Sequence, residues 1–182
     1  IEGGVAALAV ASGSSAVALS IQNVASAGDN IVASPHLYGG TYNLFTNTLK
    51  EMGIEVRFAD PSEPESFVAL SDDKTRAYFG ETLPNPKLVP FPIEEVALIG
   101  RELGIPLIID NTAAPITCRP FDFGATIVVH SLTKYIGGHG TSIGGVIIDS
   151  DTFNWVANPN QQPHINIPDS SFHGAIWGEL VP

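Results

Sequence analysis

Short apolar runs, each closed by polar or turn-forming residues, recur between longer segments of helical periodicity, and this alternation restricts the fold more than any other feature of the chain. The runs are NIVAS (30–34), IEVRFA (54–59), RAYFG (76–80), PLIID (106–110), TIVVH (126–130) and GGVIID (144–149). Several are apolar at successive positions, the pattern of strands covered on both faces. Helical patterns fall at roughly 14–27, 40–52, 63–71 and 92–103. In the last of these, Ile93, Val96, Ala97 and Leu103 share a face, Pro92 suits the first turn and Gly104 suits the stop. The alternation implies an α/β fold: a mainly parallel sheet with helices on both faces. The opening IEGGVAALAVASG (1–13) reads as a helix, and residues 151–182 read as an irregular excursion rather than a further layer.

The 182 residues suit one domain with a well-packed core. A net charge of −11, from 8 basic and 19 acidic side chains, argues against nucleic acid or an anionic membrane surface as partner. Small molecules or other proteins remain. Cys118 stands alone and cannot form an internal disulfide, and no stretch of about 18 uninterrupted apolar residues exists, so a cytoplasmic location is expected. The chain opens at Ile1 without an initiator methionine and closes on GELVP, so it is expected to be part of a longer protein.

In open α/β sheets, ligands bind beyond the carboxyl ends of the strands. The run 30–34 leads to His36 and Tyr38, 76–80 to Glu81, Thr82 and Asn85, 106–110 to Asp110, Asn111 and Thr112, and 126–130 to Ser131, Thr133 and Lys134. A helix begins near residue 13, in ASGSSA. These polar groups should converge on one rim.

Three features of the rim carry chemistry. The small residues at the helix start, Gly13 and Ser14, leave backbone N–H groups free for an anion such as phosphate, although serine and glycine there are also ordinary caps. No dinucleotide or P-loop glycine motif is present. Asp110 ends an apolar strand, where a carboxylate needs a partner: a protonated ring nitrogen, a helix end or a metal. Lys134 is one of only eight cations, and none follows it. Partial desolvation there would turn it into an amine nucleophile or base; a structural salt bridge is the alternative. His130 and His139 flank the lysine, but no third ligand has metal-site spacing, so no metal is expected. His36, Cys118 and the region from Trp155 to Trp177 read as packing.

A phosphate cradle, a carboxylate for a ring nitrogen and a strand-end lysine are together what pyridoxal phosphate requires. VVHSLTKYIGGHGTSIGGVIID resembles the lysine segment of the Cys/Met-metabolism family of fold-type I pyridoxal-phosphate enzymes, and ASGSSA, HLYGGTY, ETLPNP and IIDNTAAP resemble its other blocks, in order. The resemblance implies a single cofactor-binding large domain over 1–182, without the family's N-terminal arm and C-terminal domain. It implies Lys134 as the Schiff-base lysine and proton carrier, Asp110 as partner of the pyridine nitrogen, and Tyr38 stacked on the ring and assisting proton transfer. It further implies Asn85 at the ring's phenolic oxygen and Thr112 against the other ring face. Gly13, Ser14, Ser131 and Thr133 would then hold the phosphate.

The segment after the lysine, GGHGTSIGG, resembles the O-acetylhomoserine sulfhydrylase branch. That implies γ-replacement on O-acetyl-L-homoserine by sulfide or a small thiol, giving homocysteine or methionine. A γ-lyase, a cystathionine γ-synthase or a non-catalytic remnant of the domain are the alternatives. The family also implies a homodimer or homotetramer.

Overall fold

The structure, a computed structural model, describes residues 1–180. Its centre is one seven-stranded sheet: β1 (Ala6–Val10), β2 (Asn30–Ala33), β3 (Glu55–Phe58), β4 (Thr75–Glu81), β5 (Leu107–Asp110), β6 (Ile127–Ser131) and β7 (Gly145–Asp149). The spatial order is β1-β7-β6-β5-β4-β2-β3. The pairs from β3 through β6 are parallel, and β7 runs antiparallel to both β6 and β1. The expected mainly parallel α/β sheet is therefore present.

Side chains leave the two faces of each strand alternately, so neighbouring residues enter different layers. Ile108 and Val129 join Ala16, Val17 and Ile21 of α1 (Gly13–Gln22) in one buried cluster. Leu107, Ile109 and Val128 join Ile93, Val96 and Ala97 of α5 (Ile93–Leu103) in the other. Between these helices in sequence lie α2 (Gly39–Asn43), a π-turn over Leu44–Thr48, α3 (Leu49–Glu51) and α4 (Glu65–Ala69). Each fully buried aliphatic contributes about 1.5–3 kcal/mol, so both layers are needed for a stable sheet. Helix α5 ends as the sequence indicates, with Gly104 in the left-handed conformation at φ 72°.

The opening segment is a strand, not the expected helix. Residues Ala6–Val10 pair with β7, Ala6 opposite Asp149 and Val10 opposite Gly145. Alanine is a strong helix former, but propensity yields to tertiary context, and an unpaired edge of β7 offers a full set of backbone partners. A Cβ on Gly4 would lie 2.5 Å from the Asp149 carbonyl oxygen, so glycine lets the chain approach β7 closely just before β1. Helix α1 is also shorter than expected, ending at Gln22. After β7 the chain forms turns and two short helices, α6 (Pro163–Asn166) and α7 (Trp177–Leu180). Gln161 and Gln162 in this segment are buried, donating side-chain hydrogen bonds to the backbone of Thr75 and Arg76.

Candidate active site

Parallel strands deliver their last residues to one edge of the sheet, and a cavity of about 890 Å³ lies there. Gly13, Ser14, Tyr38, Asn85, Asp110, Thr112, Ser131, Thr133 and Lys134 all line it. Residues from five segments far apart in sequence are thus brought together.

One wall is the start of α1. Ser12 caps the helix, its hydroxyl accepting the Ser15 N–H at 3.0 Å. That leaves the Gly13 and Ser14 amides without a partner among the described residues, at the positive end of the helix dipole. A Cβ on Gly13 would fall 2.5 Å from the Ser131 Cβ, and one on Gly145 would fall 2.0 Å from the Ser12 carbonyl oxygen. Glycines therefore seat the helix end against the tips of β6 and β7.

The floor is acidic. Asp110 Oδ1 accepts the Thr112 hydroxyl at 2.5 Å and the Thr112 N–H at 2.9 Å. The Thr112 oxygen in turn accepts the Ser131 N–H at 2.7 Å, so this hydroxyl locks the end of β5 to the end of β6. Burial pushes the Asp110 carboxyl above the ordinary aspartate range, while the Thr112 bonds and nearby His130 pull the other way. Beside it, Glu81 is 6% exposed and accepts the Tyr38 N–H at 2.7 Å. Burial first, then the charge of Asp110, pushes Glu81 up to about 8, against the amides of Tyr38 and Asn85.

The remaining side holds Tyr38, Thr133 and Lys134. The Tyr38 ring is half exposed and lies against Gly40, where a Cβ would be 2.5 Å from it. Thr133 Oγ1 accepts the Gly144 N–H at 3.2 Å and ties down the loop from 132 to 144. Lys134 stands in the turn after β6, and its Nζ has neither salt bridge nor hydrogen bond among the described residues. The partial desolvation expected for this lysine is not found: Lys134 is exposed, because its neighbours on this side, Tyr135, Gly138, Gly140 and Ile143, are exposed too. None of the four arginines lines the cavity.

Two buried elements had no role in the sequence reading. Glu81 closes a buried strand just as Asp110 does; strand-end logic placed it on the rim but gave it no chemistry. The second is a polar cluster under the sheet edge: His130 Nε2 lies 2.6 Å from Glu2 Oε1, and both side chains are 1% exposed. Asn111 Nδ2 donates to the same Glu2 oxygen at 3.0 Å. Burial pushes Glu2 up, but the bonds from His130 and Asn111 outweigh it and hold the carboxyl below its usual range. His139, by contrast, is exposed, and its Nδ1 sits 2.8 Å from the Gly137 carbonyl oxygen.

The architecture is that of fold-type I pyridoxal-phosphate enzymes. A crystal structure assigned as an O-acetylhomoserine (thiol)-lyase from Campylobacter jejuni, which carries N′-pyridoxyl-lysine-5′-monophosphate, superposes with a TM-score of 0.95 at 39% identity, over 100% of this chain and 45% of its own. The family model for Cys/Met metabolism PLP-dependent enzymes matches residues 1–171, and the chain belongs to that family. It is 52% identical over 181 residues to an O-acetyl-L-homoserine sulfhydrylase from Leptospira meyeri, covering 99% of this chain and 40% of the relative. It is 47% identical to a homocysteine/cysteine synthase from Saccharomyces cerevisiae, over 98% of this chain and 41% of the relative. The chain thus spans about two fifths of the length of these curated relatives.

Proposed function

We propose that the full-length protein uses this cavity to hold pyridoxal phosphate and catalyses γ-replacement on O-acetyl-L-homoserine, with sulfide or a small thiol as nucleophile and homocysteine or methionine as product. The observation that carries the reading is the convergence, in one cavity, of helix-start amides, a half-buried carboxyl and an amine, the amides and the amine without partners among the described residues. The donor set suits the cofactor group by group. The Gly13 and Ser14 amides, with the Ser131 and Thr133 hydroxyls, suit a phosphate. Asp110, whose half-buried carboxyl has only Thr112 as hydrogen-bond donor among the described residues, suits a protonated pyridine nitrogen. Tyr38 and Thr112 would flank the ring, Asn85 would meet its phenolic oxygen, and Lys134 would bond its aldehyde carbon.

Bound pyridoxal phosphate supplies an aromatic ring that takes up the electron pair left when a C–H bond beside the amino group breaks. The protein's part is positional and electrostatic. Asp110 would keep a proton on the ring nitrogen, and Thr112 holds Asp110 in place. The Lys134 Nζ would move protons between the α- and β-carbons of the substrate, and at the γ-carbon the bond to acetate would break and a bond to the sulfide or thiol sulfur would form. The names of the Leptospira and Saccharomyces relatives support sulfide transfer over the lyase alternatives.

A homodimer or homotetramer is part of the proposal, supported by the exposed Tyr135, Ile136 and Ile143 beside the cavity mouth. So is a cytoplasmic location, in keeping with the lone Cys118; among the described residues no helix is long and apolar enough to cross a membrane. The test is product analysis of purified full-length protein given cofactor, O-acetylhomoserine and sulfide. Homocysteine is expected. Ammonia and 2-oxobutanoate in its place would assign a γ-lyase, and neither product would leave a non-catalytic domain.

A further inference from the structure

We propose that Glu81 is a positioning residue for the cofactor: its buried carboxyl fastens the backbone of Tyr38, and with it the Asn85 segment, to the end of β4 beside Asp110. The inference rests on the reading above that this cavity holds pyridoxal phosphate.

Glu81 ends a strand that is buried along its whole length, and no cation pairs with it among the described residues. Such a carboxyl is costly to bury, and it is retained only where its oxygens hold something in place. Glu81 Oε1 accepts the N–H of Tyr38, a residue 43 positions earlier on the loop after β2. Tyr38 precedes α2 with extended backbone, φ −54° and ψ 137°, and makes no side-chain cap bond there. The bond to Glu81 is therefore what ties Tyr38 to the sheet. The backbone N–H of Asn85, four residues after Glu81, also favours the ionised form of this carboxyl. Tyr38 and Asn85 line the cavity together with Glu81 and Asp110, so one side chain sets two of the proposed ring contacts. Burial and the charge of Asp110 hold Glu81 largely protonated near neutral pH, so a glutamine is a close substitute: the same length, uncharged, with an oxygen that accepts both amides.

The experiment compares full-length wild type with Glu81→Gln, Glu81→Ala and Glu81→Met, by absorbance titration with pyridoxal phosphate and by visible circular dichroism per bound cofactor. Glu81→Gln should keep the wild-type Kd within about threefold and keep the dichroic band. Glu81→Ala and Glu81→Met should raise Kd about tenfold or more, as expected for a lost buried acceptor, and weaken the band, with kcat falling further than KM changes. Should Glu81→Ala fail to fold, Glu81→Met, which fills the same space, decides alone. Wild-type Kd and dichroism in Glu81→Met would overturn the proposal, as would a Glu81→Gln variant as impaired as Glu81→Met. A wild-type protein that shows no cofactor band at all would instead overturn the reading of the cavity.

Discussion

Glu81 and Asp110 stand opposite each other at the carboxyl ends of β4 and β5, partners in the sheet register, and no salt bridge reaches either carboxyl among the described residues. Two acids this close cannot both ionise cheaply, and burial raises both above their ordinary ranges. The pair divides its work. Asp110 is held by Thr112 and aimed into the cavity, whereas Glu81 is held by backbone amides and anchors the walls.

The raised carboxyls make stability depend on pH. Burial and the charge of Asp110 push Glu81 up to about 8 in the fold, against the ordinary 4.5, so between those values the folded chain holds a proton that the unfolded chain has lost. Stability therefore falls as pH rises from 4.5 towards 8 and levels off above, by about 5 kcal/mol at most from this group. Asp110 adds a slope of the same sign. Urea unfolding of cofactor-free full-length protein at a series of pH values should show the decline, and Glu81→Gln should flatten most of it. An unchanged slope in that variant would assign the effect elsewhere.

Gly13→Ala should damage the anion end of the cavity. Its Cβ would collide with the Ser131 Cβ and Cα, at 2.5 and 2.8 Å, and both are parts of the sheet end with no room to retreat. Overpacking of this kind costs about 1–3 kcal/mol. The expected result is a lower unfolding midpoint together with weaker binding of pyridoxal phosphate and of inorganic phosphate, measured by calorimetry.

Thr112→Val keeps the shape of the side chain and removes the hydroxyl that joins Asp110 to the Ser131 amide. One buried amide then loses its acceptor and the carboxyl loses its shortest bond, a penalty of about 1–3 kcal/mol. Stability should drop by that amount. In the loaded enzyme, kcat should fall about tenfold or more, since Asp110 is no longer aimed.

Glu2→Ala should be among the most destabilising single changes in the chain. It strips His130 and Asn111 of their shared acceptor in a fully buried site. Breaking a buried pair by removing one partner costs about 3–5 kcal/mol. Denaturant titration checks this, and a loss below 1 kcal/mol would mean that the pair is solvated.

What could be read from residues alone follows physical lines. Strand-end positions were legible because strand direction sends every polar group to one rim, and Asp110 and Lys134 both stand out against apolar surroundings. Strand β1 was not, because AALAV carries alanine's helical preference and only the distant edge of β7, some 135 residues on, makes it a strand. The Glu2–His130 contact spans 128 residues and has no local pattern. Thr112 was legible as a cavity residue, but not its bonds joining Asp110 to Ser131, a geometry set by the register of β5 and β6. The exposure of Lys134 depends on what flanks the cavity mouth, which no short motif encodes.

The central claim is that the Lys134 amine and the Asp110 carboxyl serve one ring. The most direct measurement is borohydride reduction of full-length protein loaded with pyridoxal phosphate, followed by peptide mass spectrometry. This chain has four lysines, Lys50, Lys74, Lys87 and Lys134. The account predicts the pyridoxyl group on Lys134 alone, and none on the protein after Lys134→Ala. Stoichiometric label on any of the other three, with Lys134 unmodified, would contradict it.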